Sequence, residues 1–309
     1  MRNVCRRITR TAAMVLVGWV AGSCDFDATE TCIIQTGVSP TAPGAAREYN
    51  CDGFEERFLL AIPPGCDRGG CGLIADLPGA TATAENPNLN TGLRQRTRDL
   101  PQPFLVLSAN RPQLFADAAS ADRIFMFMQA VASVFSVDRD RVHIGGFSNG
   151  GGVTFNFICD PMKADFIASA APQATSGNSG CFGTDPGDTN PPIPILYFSG
   201  RNDMIASFPQ QRAAAQRILD GTGAQFDSIV QQSDIGGTLH VRFVGSAGQP
   251  IELVRYDNVK DPAAGPPALG GHCYVGPFTA NGGACTGAAA FENGAKTLEF
   301  YLANPKRRP

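Results

Sequence analysis

Hydrophobic positions along the chain fall into short runs bounded by turn residues, alternating with stretches of helical spacing. Arg57-Phe-Leu-Leu-Ala-Ile62 reads as a strand stopped by Pro63-Pro64. Gly72-Leu-Ile-Ala-Asp-Leu77 and Phe104-Leu-Val-Leu-Ser108 are short apolar runs bounded by turn residues, as strands buried on both faces should be. From Asp122 to Phe135, apolar residues at 124, 127, 128, 131, 134 and 135 share one helical face. Further strands are predicted at Val142–Gly146, Phe166–Ala170, Ile193–Phe198 and Ile251–Tyr256, and helices at Asn149–Cys159, Gln210–Leu219 and Ala288–Leu302. Gln225–Ser233 and Thr238–Val244 read as an added hairpin around Gly236-Gly237, and everything before about residue 50 as polar loop. Strand–helix alternation of this length implies an α/β fold, a mostly parallel central sheet with helices on both faces.

Composition sharpens that picture. The 309 residues are 43% hydrophobic, which excludes a disordered chain, and the 35 glycines and 23 prolines fit many loops. The formal charge is −3; without the four arginines of residues 1–23, 21 basic residues face 28 acidic ones, a charge of −7. Such a surface offers nothing to nucleic acid. Residues 1–23 carry Arg2, Arg6, Arg7 and Arg10 followed by the apolar run Thr11–Val20, too short to span a bilayer and suited to an export signal. Ala21-Gly22-Ser23-Cys24 resembles a lipobox, so Cys24 is the expected lipidation site, and a lipid anchor the only expected membrane contact. The domain reading is thus a signal at 1–23, a polar segment at 24–50 and one catalytic domain at 51–309. Export to the bacterial envelope or the medium makes disulfides available. Neighbouring cysteines suggest four pairs: Cys32 with Cys51, Cys66 with Cys71, Cys159 with Cys181, and Cys273 with Cys285. With three histidines and no CxxC, neither a metal nor any other cofactor is expected.

Gly146-Phe147-Ser148-Asn149-Gly150 is a G-x-S-x-G motif between a predicted strand and a predicted helix, the setting of a nucleophile elbow. Glycines suit positions 146 and 150 because side chains there would collide where strand and helix approach. A serine nucleophile needs a base and an orienting carboxylate, which this kind of fold supplies in the order Ser, Asp, His. His272 lies in a glycine-rich loop after the last apolar strand, whereas His240 lies inside an alternating strand and His143 precedes the serine. Asp203 follows the Ile193–Phe198 strand and the turn Ser199–Asn202; Asp257 and Asp261 are the fallback carboxylates. The oxyanion donors are expected to be the backbone N–H groups of Asn149 and of Ala80, since Pro78 has none.

Val137-Asp138, Arg141–Gly151, the turn Ser199–Asp203 and the Gly271-His272 loop together resemble the polyhydroxybutyrate depolymerase and feruloyl-esterase-like branch of the α/β hydrolases. The resemblance covers roughly residues 55–302. It differs from the family pattern at Pro78-Gly79, where the family has His-Gly, and at Cys273–Gly276, where Trp-Pro-Gly is common. Phe147 precedes the serine, so the paired cysteines of tannase-like relatives are absent. The resemblance implies a serine carboxylesterase acting through an acyl-enzyme on hydroxyalkanoate oligoesters or on acyl and feruloyl esters of polysaccharide, and with the N-terminal signal the expectation is an exported monomer. A peptidase or acyltransferase would use the same triad, and a binding lipoprotein could retain the fold without catalysis.

Overall fold

A strand whose backbone is hydrogen-bonded along both edges has only its side chains left to bury, and the mostly apolar runs do this at the centre of the sheet. The computed structural model describes residues 44–50, 57–109, 116–177, 192–260, 269–279 and 283–306. In chain order the elements are β1 (Arg47–Asn50), β2 (Arg57–Ala61), β3 (Gly72–Leu77), α1 (Glu85–Thr91), α2 (Leu93–Arg98), β4 (Phe104–Ala109), α3 (Ala118–Val134), β5 (Val142–Phe147) and α4 (Asn149–Cys159). Then come α5 (Pro161–Phe166), β6 (Ser169–Gln173), β7 (Ile195–Gly200), α6 (Phe208–Thr222), β8 (Gln225–Ser233), β9 (Thr238–Val244), β10 (Pro250–Tyr256) and α7 (Asn293–Ala303).

The strands form one sheet in the order β1-β2-β4-β3-β5-β6-β7-β10-β9-β8. From β4 to β10 every neighbouring pair is parallel, and the two edges are antiparallel. Successive β3 residues alternate between two cores: Leu73, Ala75 and Leu77 face α3, α4 and α6, whereas Ile74 faces α2 and α7. Helices therefore cover both faces, as the alternation of elements predicts.

Several boundaries differ from expectation. The polar segment before residue 50 ends in β1, paired antiparallel with β2 through Arg47↔Leu60 to Asn50↔Arg57. An edge strand with one solvated face needs few apolar residues. α3 starts before Asp122, because the Asp117 carboxylate caps it by accepting from Ser120 N at 2.8 Å. Phe166 closes α5 instead of opening a strand: Pro161 stands in the first turn and Asp160 accepts from Met162 N and Lys163 N. The strand then runs through Ser169-Ala-Ala-Pro-Gln173, small residues that give no hydrophobic signal. α7 begins at Asn293, five residues later than the spacing suggests. α1 and α2, meeting at left-handed Gly92, have no predicted counterpart, since Glu-Asn-Pro-Asn-Leu-Asn-Thr carries neither helical periodicity nor strong helix formers. Among the described residues, no helix is long and apolar enough to cross a membrane.

Candidate active site

The chain turns sharply from β5 into α4 at Ser148, whose φ of 55° and ψ of −115° are unusual for any residue but glycine. Two backbone bonds hold the turn, Ser148 N to Gln173 O at 3.0 Å and Gly152 N to Ser148 O at 2.9 Å. The flanking glycines are required by space. A Cβ on Gly146 would lie 2.5 Å from the Gly150 carbonyl carbon, and one on Gly150 would lie 2.4 Å from Leu77 O and 2.6 Å from Pro78 O. The second clash is with the end of β3, so the motif also brings loop 78–80 against the serine. A Cβ on Gly79 would stand 3.2 Å from the Ser148 Cβ. The backbone of Asn149 opens α4 and Ala80 lies exposed in that loop, so both expected oxyanion donors border the serine.

Asp203 and His272 come together. His272 Nδ1 lies 2.8 Å from Asp203 Oδ2, and the carboxylate is wholly buried. A carboxylate only accepts, so Nδ1 carries the proton and Nε2 is left with a free lone pair. Asp203 is further held by Ile205 N and Ala206 N, which donate to Oδ1 at 2.8 and 2.9 Å. Gln211 Nε2 donates to Oδ2 at 2.9 Å, and its Oε1 accepts from Gly200 N. Gln211 is fully buried on α6 along with Ala214 and Ile218, and no feature of the sequence singles it out. The fallback Asp257 pairs with Arg201 at 3.1 Å, away from His272, and Asp261 lies outside the described residues.

The histidine loop is tied from several sides. Gly271 N donates to Asn202 O at 2.7 Å, His272 N to Leu269 O at 2.9 Å, and the buried Tyr256 hydroxyl donates to the carbonyls of Gly271 and Cys273. Disulfides join Cys273 to Cys285 and Cys66 to Cys71, two of the four expected pairs. Cys159 is also disulfide-bonded, but its expected partner Cys181 lies outside the described residues. Cys32 and Cys51 lie outside them as well, so the expected bond between Cys32 and Cys51 is not among those described. The lipidation site expected at Cys24 falls outside too. The Phe147 ring packs on His272 at 4.7 Å and stacks on Tyr274 at 4.3 Å.

The other histidines are spoken for. His143 is buried, bonds Ser169 Oγ at 2.8 Å and stacks on Tyr301; burial, with Arg141 adding, pushes its pKa down to about 3. His240 bridges Glu252 and Lys296 on the far part of the sheet. No cluster suited to a metal ion occurs among the described residues.

Two clefts meet at Ser148. One, of about 580 Å³, is lined by polar groups including Asp117, Asn149, Asn156, Thr175 and Gln210. The other, of about 480 Å³, contains Ala80, Leu89, Phe147, Leu269, His272 and Tyr274. A strained serine, a histidine with a free lone pair and a buried carboxylate around one cleft form a set suited to nucleophilic acyl transfer.

No family model matches the chain. Over 150 residues, 48% of this chain, it is 33% identical to a probable feruloyl esterase C of Aspergillus niger, and the match spans 51% of that relative's length. Among solved structures, a thermostable esterase superposes with a TM-score of 0.56 at 15% identity, over 85% of this chain and 63% of that one. An acetyl xylan esterase from Aspergillus awamori superposes with a TM-score of 0.53 at 11% identity, over 80% and 94% of the two chains. At such identities the structural likeness speaks for the fold. The ten-stranded sheet, its parallel centre and these neighbours agree: the chain has the α/β-hydrolase fold.

Proposed function

We propose that the protein is an exported serine carboxylesterase with Ser148, His272 and Asp203 as its triad. The observation that carries this reading is the 2.8 Å bond from His272 Nδ1 to the buried Asp203, with His272 and Ser148 lining one cleft. His272 Nε2 takes the Ser148 proton as Oγ attacks the ester carbonyl. The N–H groups of Ala80 and Asn149 stabilise the oxyanion. As the bond to the alcohol breaks, His272 returns the proton to the leaving oxygen, and the acyl group stays on Ser148. Water, deprotonated by the same histidine, then releases the acid and restores the serine. Asp203 holds the imidazole in the productive tautomer, and Gln211 with the Ile205 and Ala206 amides holds Asp203.

The feruloyl esterase relative favours acyl and feruloyl esters of polysaccharide, beside hydroxyalkanoate oligoesters, as substrates to assay. The disulfides support export, because such bonds persist in oxidising compartments. Membrane anchoring through Cys24 is the finer proposal; Cys24→Ser should then move the protein from the membrane fraction to the soluble one. The activity itself is tested by Ser148→Ala, which should lower kcat by about 10⁴-fold or more on any hydrolysed ester. Retention of activity within tenfold would overturn the assignment.

A further inference from the structure

The two clefts at Ser148 differ in charge as well as polarity. The His272 cleft contains one lysine, Lys260, and no carboxylate in its lining. Lys260 is partly buried, and its ammonium forms no ion pair with the described residues. Described carboxylates of the neighbouring segments are committed elsewhere: Asp203 to His272, Asp257 to Arg201 and Glu292 to Arg96. Beside aromatic and aliphatic walls and with no ion pair among the described residues, the Lys260 ammonium can gain a charge-assisted hydrogen bond from an incoming anion.

Position 260 is also fixed relative to the base. Lys260 N donates to Gly270 O at 2.8 Å, two residues before His272. On its other side Lys260 pairs with Cys285, whose sulfur is bonded to Cys273, the residue after His272. Cation and base thus stand on one cross-linked frame.

The chemistry decides which part of the ester lies there. His272 must hand its proton to the leaving oxygen, so the alcohol part occupies the cleft that contains His272. The acyl part is left the other cleft, which touches Ser148 but not His272. Resting on the serine-esterase reading above, we propose that Lys260 binds a carboxylate carried by the alcohol part of the substrate. The preferred substrates are accordingly esters of hydroxy acids with a free acid end. Lys260 is a specificity residue and takes no part in proton transfer.

The test compares two acetate esters of equal size, a terminally acetoxylated butanoate and the corresponding neutral butanamide, at low ionic strength. The wild type should show a kcat/KM ratio of at least about fivefold in favour of the anion, as expected for one charge-assisted hydrogen bond. Lys260→Met should bring that ratio within about twofold of one, and Lys260→Gln serves should the first variant fail to fold. A wild-type ratio below fivefold, or a ratio that survives both substitutions, overturns the proposal. Failure to hydrolyse either ester, or any simple acetate ester, would instead overturn the esterase reading on which it rests.

Discussion

Asp76 lies two residues before Pro78, beneath the loop that carries Ala80, and its burial makes a stability prediction with a definite sign. Its carboxyl accepts from Thr91 Oγ1 at 2.6 Å. Burial raises its pKa from the ordinary 3.8 to about 6, and the Thr91 hydroxyl and Arg94 offset only part of that. Between those two values the folded state binds the proton and the unfolded state does not, so stability falls as pH rises through the window. At about 1.4 kcal/mol per pH unit, the buried charge costs about 3 kcal/mol above pH 6. Asp76→Asn keeps an acceptor for Thr91 and removes the charge. Urea unfolding of both proteins from pH 4 to 7.5 should show no stability difference at pH 4 and an advantage to the variant approaching about 3 kcal/mol at pH 7. His143 acts in the opposite sense. Held neutral down to about pH 3, against an ordinary 6.5, it withdraws about 5 kcal/mol as pH falls through that range. The two slopes cancel between about pH 4 and 6 in the wild type, and the Asp76→Asn curve should be the steeper there. A stability difference that does not change with pH would refute this reasoning.

Two further outcomes follow from the site. Gly150→Ala puts a methyl 2.4 Å from Leu77 O, so loop 78–80 must move; kcat should drop by about 10²-fold, the usual cost of one lost oxyanion donor, with little change in KM. Steady-state kinetics on a simple ester measures both, and unchanged kcat would remove Ala80 from the oxyanion site. Replacing Cys273 and Cys285 together by serine frees the loop that holds His272 and should lower kcat more than it raises KM, because positioning and not substrate binding is lost. A lowered Tm with unchanged kcat would make this disulfide a structural clip only.

Much of the parallel core was legible because β3, β4 and β7 are mostly apolar, and β3 and α4 have the limits that their residue patterns predict. Ser148 was legible because its glycines answer a steric demand that the structure shows as clashes of 2.4–2.6 Å. Asp203 and His272 followed from chain order and loop position, and the structure brings them within hydrogen-bond distance. Parts set by long-range packing were not legible. β1 is a strand because β2 offers it an edge, and β6 because its small residues fit between β5 and β7. Gln211 matters only because α6 lays it against Asp203, and one glutamine among several in that helix carries no mark of that.

The most direct test of the central claim is covalent capture by a fluorophosphonate, which reacts with a serine only where a base and an oxyanion site activate it. Intact-mass analysis of the folded protein should show a single adduct, and peptide mapping should put it on Ser148. Ser148→Ala should abolish labelling, and His272→Ala should slow it by about 10³-fold or more, as loss of one triad member does. An adduct on another residue, or a folded wild-type protein that takes up none, would contradict the assignment of Ser148 as the nucleophile.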